Sequence, residues 1–568
     1  MQHTIKEEIE AKLSEVIKEK YPKEAIPFPS TEPEKNPAYG DLSVNTAFAL
    51  SKSLKKPPEE VAKALAESIS GGIIEKAEPV KGFVNIWVSK ERLCCLLPEI
   101  EEKKDSFGRS NFGNQRKVLL EFVSANPTGP LHIGHGRGAV YGDVLANILS
   151  ASGFLVSREY YVNDTGNQIE TLGGSVKARY LEALGEKTEF PEEGYCGEYI
   201  SDIAKKIREN EGEQARDKDA TYFGKIASKI LLSEIQKTLS DSSVYFDSFF
   251  YESQLYERGG VEKVLSDLSS VTYKKNGTCI KLHAFDKIHL TDFASITYKK
   301  DGALWLATSK LSDEKDRVLV REDGRPTYYV ADLAYHRDKL ERGIDMAINL
   351  WGTDHHGYVE RIKSGLEFLG HNPERLNIIL YQLVTLKRGK ELVSMSTRKG
   401  EFITLDDVVR EVGKDAVRFF LLMRKSDAHL EFDLELAKKE SSENPVYYVQ
   451  YLHARCSSIL REAEQRGIPF ISADSDLSLL SEPEEHRLMA KISLFGDEIK
   501  QAAKFYQPHR IPLYLMELAG IFHNYYHHHR VLSEDRELSK ARLVLINCVK
   551  TVTRNGLTLL GISAPEKM

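Results

Sequence analysis

Two imidazoles three residues apart, His132 and His135, lie in the run Pro127-Thr128-Gly129-Pro130-Leu131-His132-Ile133-Gly134-His135-Gly136-Arg137-Gly138. Upstream is an apolar stretch, residues 118–123, broken by Glu121. Downstream, Val140, Val144 and Ile148, with Leu145 and Leu149, recur at helical spacing. The prolines and glycines between them predict a turn, so the unit reads strand, turn, helix. A helix N-terminus leaves N–H groups unpaired and carries partial positive charge, which suits phosphate oxygens. Imidazoles there add hydrogen-bond donors that can follow charge developing on a phosphate. Gly134, Gly136 and Gly138 are expected to leave room for a flat ring on the backbone. Their spacing is not GxGxxG, so no dinucleotide site is expected.

These groups need a frame. Residues 155–162 read as a second strand, and strand–helix–strand implies a parallel sheet. Ligands in such sheets lie beyond the carboxyl ends of the strands, where Ser124, Asn126 and His132 fall. A second such half begins near Arg317. Thr327-Tyr328-Tyr329-Val330-Ala331-Asp332 leads an amphipathic stretch, 346–351 is an apolar strand ending in GTDHHGY, 359–369 a helix and 376–385 another apolar strand. Between the halves, residues 165–316 read as an insertion of long polar helices (197–210, 221–239) followed by short strands such as 278–282. Ile5, Ile9, Leu13 and Ile17 mark one helical face at the start, and 82–88 reads as a strand. Residues 1–113 are therefore expected to form a small α+β domain, for which a structural cap is the plain reading. The end of the chain reads as mainly helical.

The 568 residues imply several domains. A net charge of −7 argues against blanket electrostatic binding of nucleic acid, so any RNA contact must come from local basic patches. The six cysteines form no CxxC pair, so neither zinc nor a disulfide framework is expected, and a reducing cytoplasm is the plain reading. No signal peptide or membrane-length apolar run is apparent. Three consecutive histidines, 527–529, lack an evident set of companion metal ligands.

The first stretch resembles the HIGH signature of class I aminoacyl-tRNA synthetases. The resemblance to the arginyl-tRNA synthetase family runs along nearly the whole chain: the N-terminal domain with Gly40-Asp41, the HIGH region, the GTDHHGY region, Asp415-Ala416-Val417-Arg418, similar to a DALR signature, and the closing Leu559-Leu560-Gly561-Ile562. It implies an α/β, class I Rossmann-like catalytic domain at 114–405 with its insertion at about 165–316. A tRNA-binding α+β domain at 1–113 precedes it; connecting helices at 406–440 and an all-α anticodon-binding domain at 441–568 follow. The loop after Glu391 occupies the place of the KMSKS signature, which closes on the triphosphate. Only Met395 and Ser396 match it; Ser394 and Thr397 replace the lysines, and the nearby cations are Arg398 and Lys399, with Lys387, Arg388 and Lys390 upstream.

The implied activity is ATP-dependent ligation of L-arginine to tRNA(Arg) through an arginyl-adenylate, in a monomeric cytoplasmic enzyme. Mg²⁺ is expected with the ATP, and neither zinc nor a membrane. By this resemblance His132 and His135 are the catalytic candidates. Gly134, Gly136, Met395, Ser396, Arg398 and Lys399 are the candidates for ATP. Glu121, Ser124, Asn126, Tyr328, Asp332, Glu252 and one of His355 or His356 are those for arginine, with His132 also beside the amino acid. A guanidinium is flat, always charged and best met by carboxylates in a forked geometry. Residue by residue, blander readings stay open: Glu121 as a buried acid satisfied by backbone amides, Asp332 as a helix cap, Tyr328 as a core ring. A class I synthetase for another amino acid and a non-catalytic RNA-binding relative also remain.

Overall fold

The computed structural model describes residues 4–22, 29–34, 36–270, 296–393, 395–396 and 401–568. The expected strand at 278–282 and the cations Arg398 and Lys399 lie outside them. The chain forms two compact units, one of residues 1–110 with 439–568, the other of residues 111–438.

In the first unit an antiparallel sheet of Thr31–Pro33, Leu42–Val44, Phe83–Val88 and Ile74–Val80, in that spatial order, carries the helices Ile5–Lys20, Thr46–Leu54 and Pro58–Ile69. Ile5, Ile9, Leu13 and Ile17 are the buried face of the first helix, as their spacing predicts. Long helices, among them Pro445–Gln465, Arg510–His528 and Arg536–Leu559, make up the C-terminal part of the unit. Asp41 of the Gly40-Asp41 segment caps the end of the strand Phe83–Val88 by accepting from the Val88 N–H at 2.8 Å, and its Oδ2 meets His486 Nε2 at 3.0 Å.

The second unit is built on five parallel strands: β1 Lys117–Glu121, β2 Leu155–Val162, β3 Ser248–Tyr251, β4 Met346–Gly352 and β5 Leu376–Tyr381. Their spatial order is β5-β4-β1-β2-β3. The chain thus winds one way from β1 and the other way from β4, and the crevice beyond the carboxyl ends of β1 and β4 is where such sheets bind ligands. Helix α1, Ile133–Ala151, crosses from β1 to β2 and is buried on nearly all sides, as a central helix must be. Its glycines allow close contact: a Cβ on Gly142 would stand 2.3 Å from the Phe122 ring. Helix α2, Tyr328–Glu341, precedes β4.

Two expectations change. The segment expected to be wholly an insertion supplies β3, paired in parallel with β2; the inserted body before it is the helices Asn167–Ala183, Glu198–Glu211 and Ala220–Asp241, with a core of their own. The single strand expected at 376–385 is two. At Gln382 the backbone turns to donate to the Ser426 carbonyl, and Val384–Arg388 joins a different sheet, alongside Leu430–Asp433. Asp415–Arg418 lies on the helix Lys414–Leu422 in this unit, within the stretch 406–440 expected to hold connecting helices. Arg418 is fully buried, donates to the Ser242 and Ser243 carbonyls at 2.9 and 3.1 Å, and forms an ion pair with Asp143 of α1.

Candidate active site

His132 is the N-cap of α1, and the two histidines cap the helix reciprocally. His132 Nδ1 accepts from the N–H groups of Gly134 and His135 at 3.1 and 3.4 Å, and His135 Nδ1 accepts from the His132 N–H at 3.4 Å. This is a capping box made of imidazoles, with ring centroids 3.8 Å apart. Burial lowers the pKa of His132; burial and the neighbouring His132 push His135 down to about 3. Both rings are therefore neutral at pH 7, and an N–H at Nδ1 fixes each proton on Nε2. The pair presents two Nε2–H donors at a helix N-terminus, suited to phosphate oxygens.

The glycines serve a different purpose from the one their sequence suggests. A Cβ on Gly134 would meet His132 at 2.8 Å, one on Gly136 would meet Leu405 at 2.7 Å, and one on Gly138 the Tyr381 hydroxyl at 2.8 Å. The space above them is filled by this chain's own side chains.

The turn into α1 is strained. Val123 and Ser124 have φ of +67° and +41°, the left-handed region, at a cost of about 1–3 kcal/mol each for non-glycine residues. Ser124 is held there: its hydroxyl donates to Glu121 Oε1 at 2.9 Å and accepts from the Tyr161 N–H at 3.1 Å. Asn126 is exposed and donates to Gln168 at 2.6 Å.

Across the sheet, level with the carboxyl end of β1, runs a polar row. In register, Asn349 of β4 stands beside Glu121 of β1, Glu121 beside Glu159 of β2, and Glu159 beside Ser248 of β3. Helix α2 answers the two acids. Lys339, 0% exposed, pairs with Glu121, which is 5% exposed, and donates to Asn349 Oδ1 at 3.0 Å. Asn349 in turn donates to Glu121 Oε2 at 2.9 Å and to His336 Nε2 at 3.0 Å. Arg342 grips Glu159 through both oxygens at 2.6 and 2.8 Å, and Tyr335 donates to it at 2.8 Å. Burial raises the Glu159 pKa, but these partners outweigh it and hold the group low. Glu121 is thus a buried acid satisfied by side chains, not by backbone amides.

Asp332 and Glu252 are in the opposite condition. Burial pushes Asp332 up to about 7; the Tyr358 hydroxyl, which donates to its Oδ2, opposes this, and the charges of Glu252 and Glu121 add to it. Burial also raises Glu252, 3% exposed, against hydrogen bonds from Tyr161 and Thr165. A half-buried carboxyl group, Asp332, and a buried one, Glu252, thus both have raised pKa values, an arrangement suited to a cation. Tyr328 stands at the rim, 53% exposed, its hydroxyl near Gly166. His355 and His356 are exposed on the turn Thr353–Tyr358. His355 lies against Trp351, ring centroids 6.1 Å apart, outside the buried acids.

Met395–Ser396 pair antiparallel with Glu401–Phe402. Of the cations upstream, Lys387 is tied to Glu431 at 2.9 Å and Arg388 to Glu411 at 2.6 Å. Sequence reasoning missed Lys339, Asn349, His336, Glu159, Arg342 and Tyr358. Two signals were available: Asn349 interrupts one apolar strand as Glu121 interrupts another, and Asp332, His336 and Lys339 repeat at i, i+4, i+7 along one helix.

In the first unit, Pro445–Gln465 and Arg510–His528 gather rings and a cation. Tyr447 stacks on Tyr451, Tyr448 lies 4.6 Å from His523, and the Arg455 guanidinium lies 5.1 Å from both Tyr451 and Tyr526. His529 of the histidine run stands 3.2 Å from Glu484, and with Glu482 their ligating atoms fall within 4.8 Å. Both glutamates sit at the start of the helix Pro483–Ser493, where its dipole already favours them.

A doubly wound parallel sheet with a histidine-capped helix at its switch point defines a class I aminoacyl-tRNA synthetase. The family model for the class I (R) tRNA synthetase catalytic domain matches residues 97–438, that for the arginyl-tRNA synthetase N-terminal domain residues 3–88, and that for the DALR anticodon-binding domain residues 449–568. The last match starts beyond Asp415–Arg418. The chain is 47% identical over 544 residues to an arginine–tRNA ligase of Carboxydothermus hydrogenoformans, covering 94% of each chain. It is 45% identical over 553 residues to one of Syntrophotalea carbinolica, covering 96% of this chain and 95% of that protein. The structure of Thermus thermophilus arginyl-tRNA synthetase shares the fold at a TM-score of 0.73 and 23% identity, over 99% of this chain and 100% of that one. The chain belongs to the arginyl-tRNA synthetase family.

Proposed function

We infer that the chain ligates L-arginine to tRNA(Arg) at the expense of ATP. An oxygen of the arginine carboxylate attacks the α-phosphorus, pyrophosphate leaves, and arginyl-adenylate forms. A terminal hydroxyl of the tRNA then attacks the carbonyl carbon and AMP leaves. No covalent bond to the protein is required. The protein holds the reactants in line and stabilises charge on the phosphate oxygens. Mg²⁺ arrives on the triphosphate rather than in a protein cage.

The observation that carries the arginine assignment is the pair of half-buried Asp332 and buried Glu252, both with raised pKa values, with Glu121 already paired with Lys339. A guanidinium between them removes the repulsion and supplies donors to both. A site built for such donors rejects analogues lacking them by about 10⁴–10⁵-fold, so no editing site is needed. Tyr328 closes the rim, the Nε2–H groups of His132 and His135 face the phosphates, Gly134 and Gly136 supply the helix start beneath them, and the loop with Met395, Ser396, Arg398 and Lys399 closes on the triphosphate. Ser124, Asn126 and one of His355 or His356 hold the amino-acid end.

Residues 1–113 and 441–568 carry the tRNA, the latter through stacking on Tyr447, Tyr451 and their neighbours. The enzyme acts as a monomer in the cytoplasm; the described cysteines are free, and no described helix is long and apolar enough to cross a membrane. Bound tRNA is needed for the first step.

The test is ATP–pyrophosphate exchange with each amino acid, with and without tRNA, followed by aminoacylation. Arginine alone supports exchange, and only with tRNA present. Exchange with another amino acid would overturn the specificity; no exchange with any would favour a non-catalytic RNA-binding role. Light scattering of the eluting protein checks the monomer.

A further inference from the structure

The turn between β1 and α1 is tied at several residues besides Ser124. The Tyr160 hydroxyl of β2 donates to the Ala125 carbonyl at 2.7 Å, and Asn126 donates to Gln168 at 2.6 Å. The Tyr199 hydroxyl donates to the Thr128 carbonyl at 2.8 Å. Gln168 and Tyr199 both belong to the helical insertion. Two of the ties on the site's principal turn therefore come from a body outside the sheet, while Leu131 beside His132 accepts from the Leu405 N–H at 2.7 Å.

Tyr199 is built for this contact. Its ring packs against the insertion's own core. Gly197 makes room for it: a Cβ there would stand 2.3 Å from Tyr199 Cε1. At the far end a Cβ on Gly129 would lie 3.2 Å from the hydroxyl. The ring is thus fixed by one body and its oxygen by another. Four residues beyond Thr128 comes His132, the cap of α1.

We propose that Tyr199 is a positioning residue for adenylate formation, holding the turn so that the insertion sets where His132 and His135 stand. The proposal rests on the synthetase reading above. A turn with two left-handed non-glycine residues does not keep its shape unaided, and small displacements of catalytic donors are costly. Without the hydroxyl the Thr128 carbonyl turns to water and the donors drift from the phosphate.

Tyr199→Phe keeps the ring and its packing and removes only the oxygen. Arginine-dependent exchange with tRNA present is expected to fall about tenfold, the order of one hydrogen bond, with the thermal midpoint unchanged. The deciding readout is a double-mutant cycle with His132→Ala. If Tyr199 acts through the two histidines, Tyr199→Phe costs clearly less in that background than in the wild type. Additive losses, or a Tyr199→Phe enzyme as fast as wild type, overturn the proposal. A wild-type protein that does not exchange with arginine defeats the synthetase reading; an active wild type with an indifferent Tyr199→Phe defeats only the positioning role.

Discussion

Lys339 and Glu121, 218 residues apart in the chain, form an ion pair buried at the carboxyl end of β1. Of three acids grouped at the pocket, Glu121 is the one in an ion pair with Lys339 among the described residues; Asp332 is raised by burial and by the charges of Glu252 and Glu121, with Lys339 opposing. The pocket's demand for positive charge is thereby concentrated on the two acids expected to read a guanidinium.

Removing one partner of a buried ion pair leaves the other uncompensated. Lys339→Met is expected to lower unfolding stability by about 3–5 kcal/mol, read from urea midpoints, and Glu121→Gln in the same chain should restore much of it. A single variant with an unshifted midpoint contradicts the pair's burial.

Arginine affinity should depend on pH. With Asp332 pushed up to about 7, acidic solution keeps it protonated and unable to pair fully with a guanidinium. Bound cation favours the ionised form, so affinity rises with pH from about 6 and levels off above about 8, and binding near pH 7 releases protons. Calorimetry in buffers of different ionisation enthalpy reads the release. In Asp332→Asn the pH dependence attributable to this group disappears and arginine use is severely impaired.

The same carboxyl weakens the fold. The folded protein keeps the proton up to about pH 7, while an unfolded aspartate releases it near 4. Between those values the folded state binds more protons, so this group's contribution makes stability fall as pH rises, with its full cost present above about 7. Asp332→Asn is expected to melt higher than wild type at pH 8 and close to it at pH 4. Equal displacements at both pH values count against the shifted titration.

His132 and His135 are expected to act as neutral donors, because burial lowers both from the ordinary imidazole value. Turnover at saturating arginine should show no imidazole titration between about pH 6.5 and 8. Replacing His132 with alanine should cost about 10²–10³-fold in turnover, besides removing a cap worth about 1 kcal/mol. A turnover profile that follows an imidazole near pH 6.5 excludes the neutral-donor role.

The strand–turn–helix unit was legible because it is local: an apolar run, turn residues and 3.6-residue periodicity all point one way. The helix Tyr328–Glu341 and the strands at 155 and 346 were legible on the same ground. The extent of the insertion was not. Ser248–Tyr251 is four residues long, and its membership of the sheet rests on pairing with β2, which leaves little mark in so short a segment. The break at Gln382 was hidden likewise, since apolar residues flank it on both sides.

What the amino-acid sequence determined by itself was the family, the histidine cap and which acids were available, because motifs and periodicity are properties of neighbours along the chain. Which acid is neutralised, which stays hungry for a cation, and what holds the turn were decided only by folding. Those depend on the register that sets Asn349, Glu121, Glu159 and Ser248 in one row, and on a helix laid over it bearing Lys339 and Arg342. Burial converts that arrangement into shifted protonation, because the energy of a charge depends on what surrounds it in space rather than on its place in the chain.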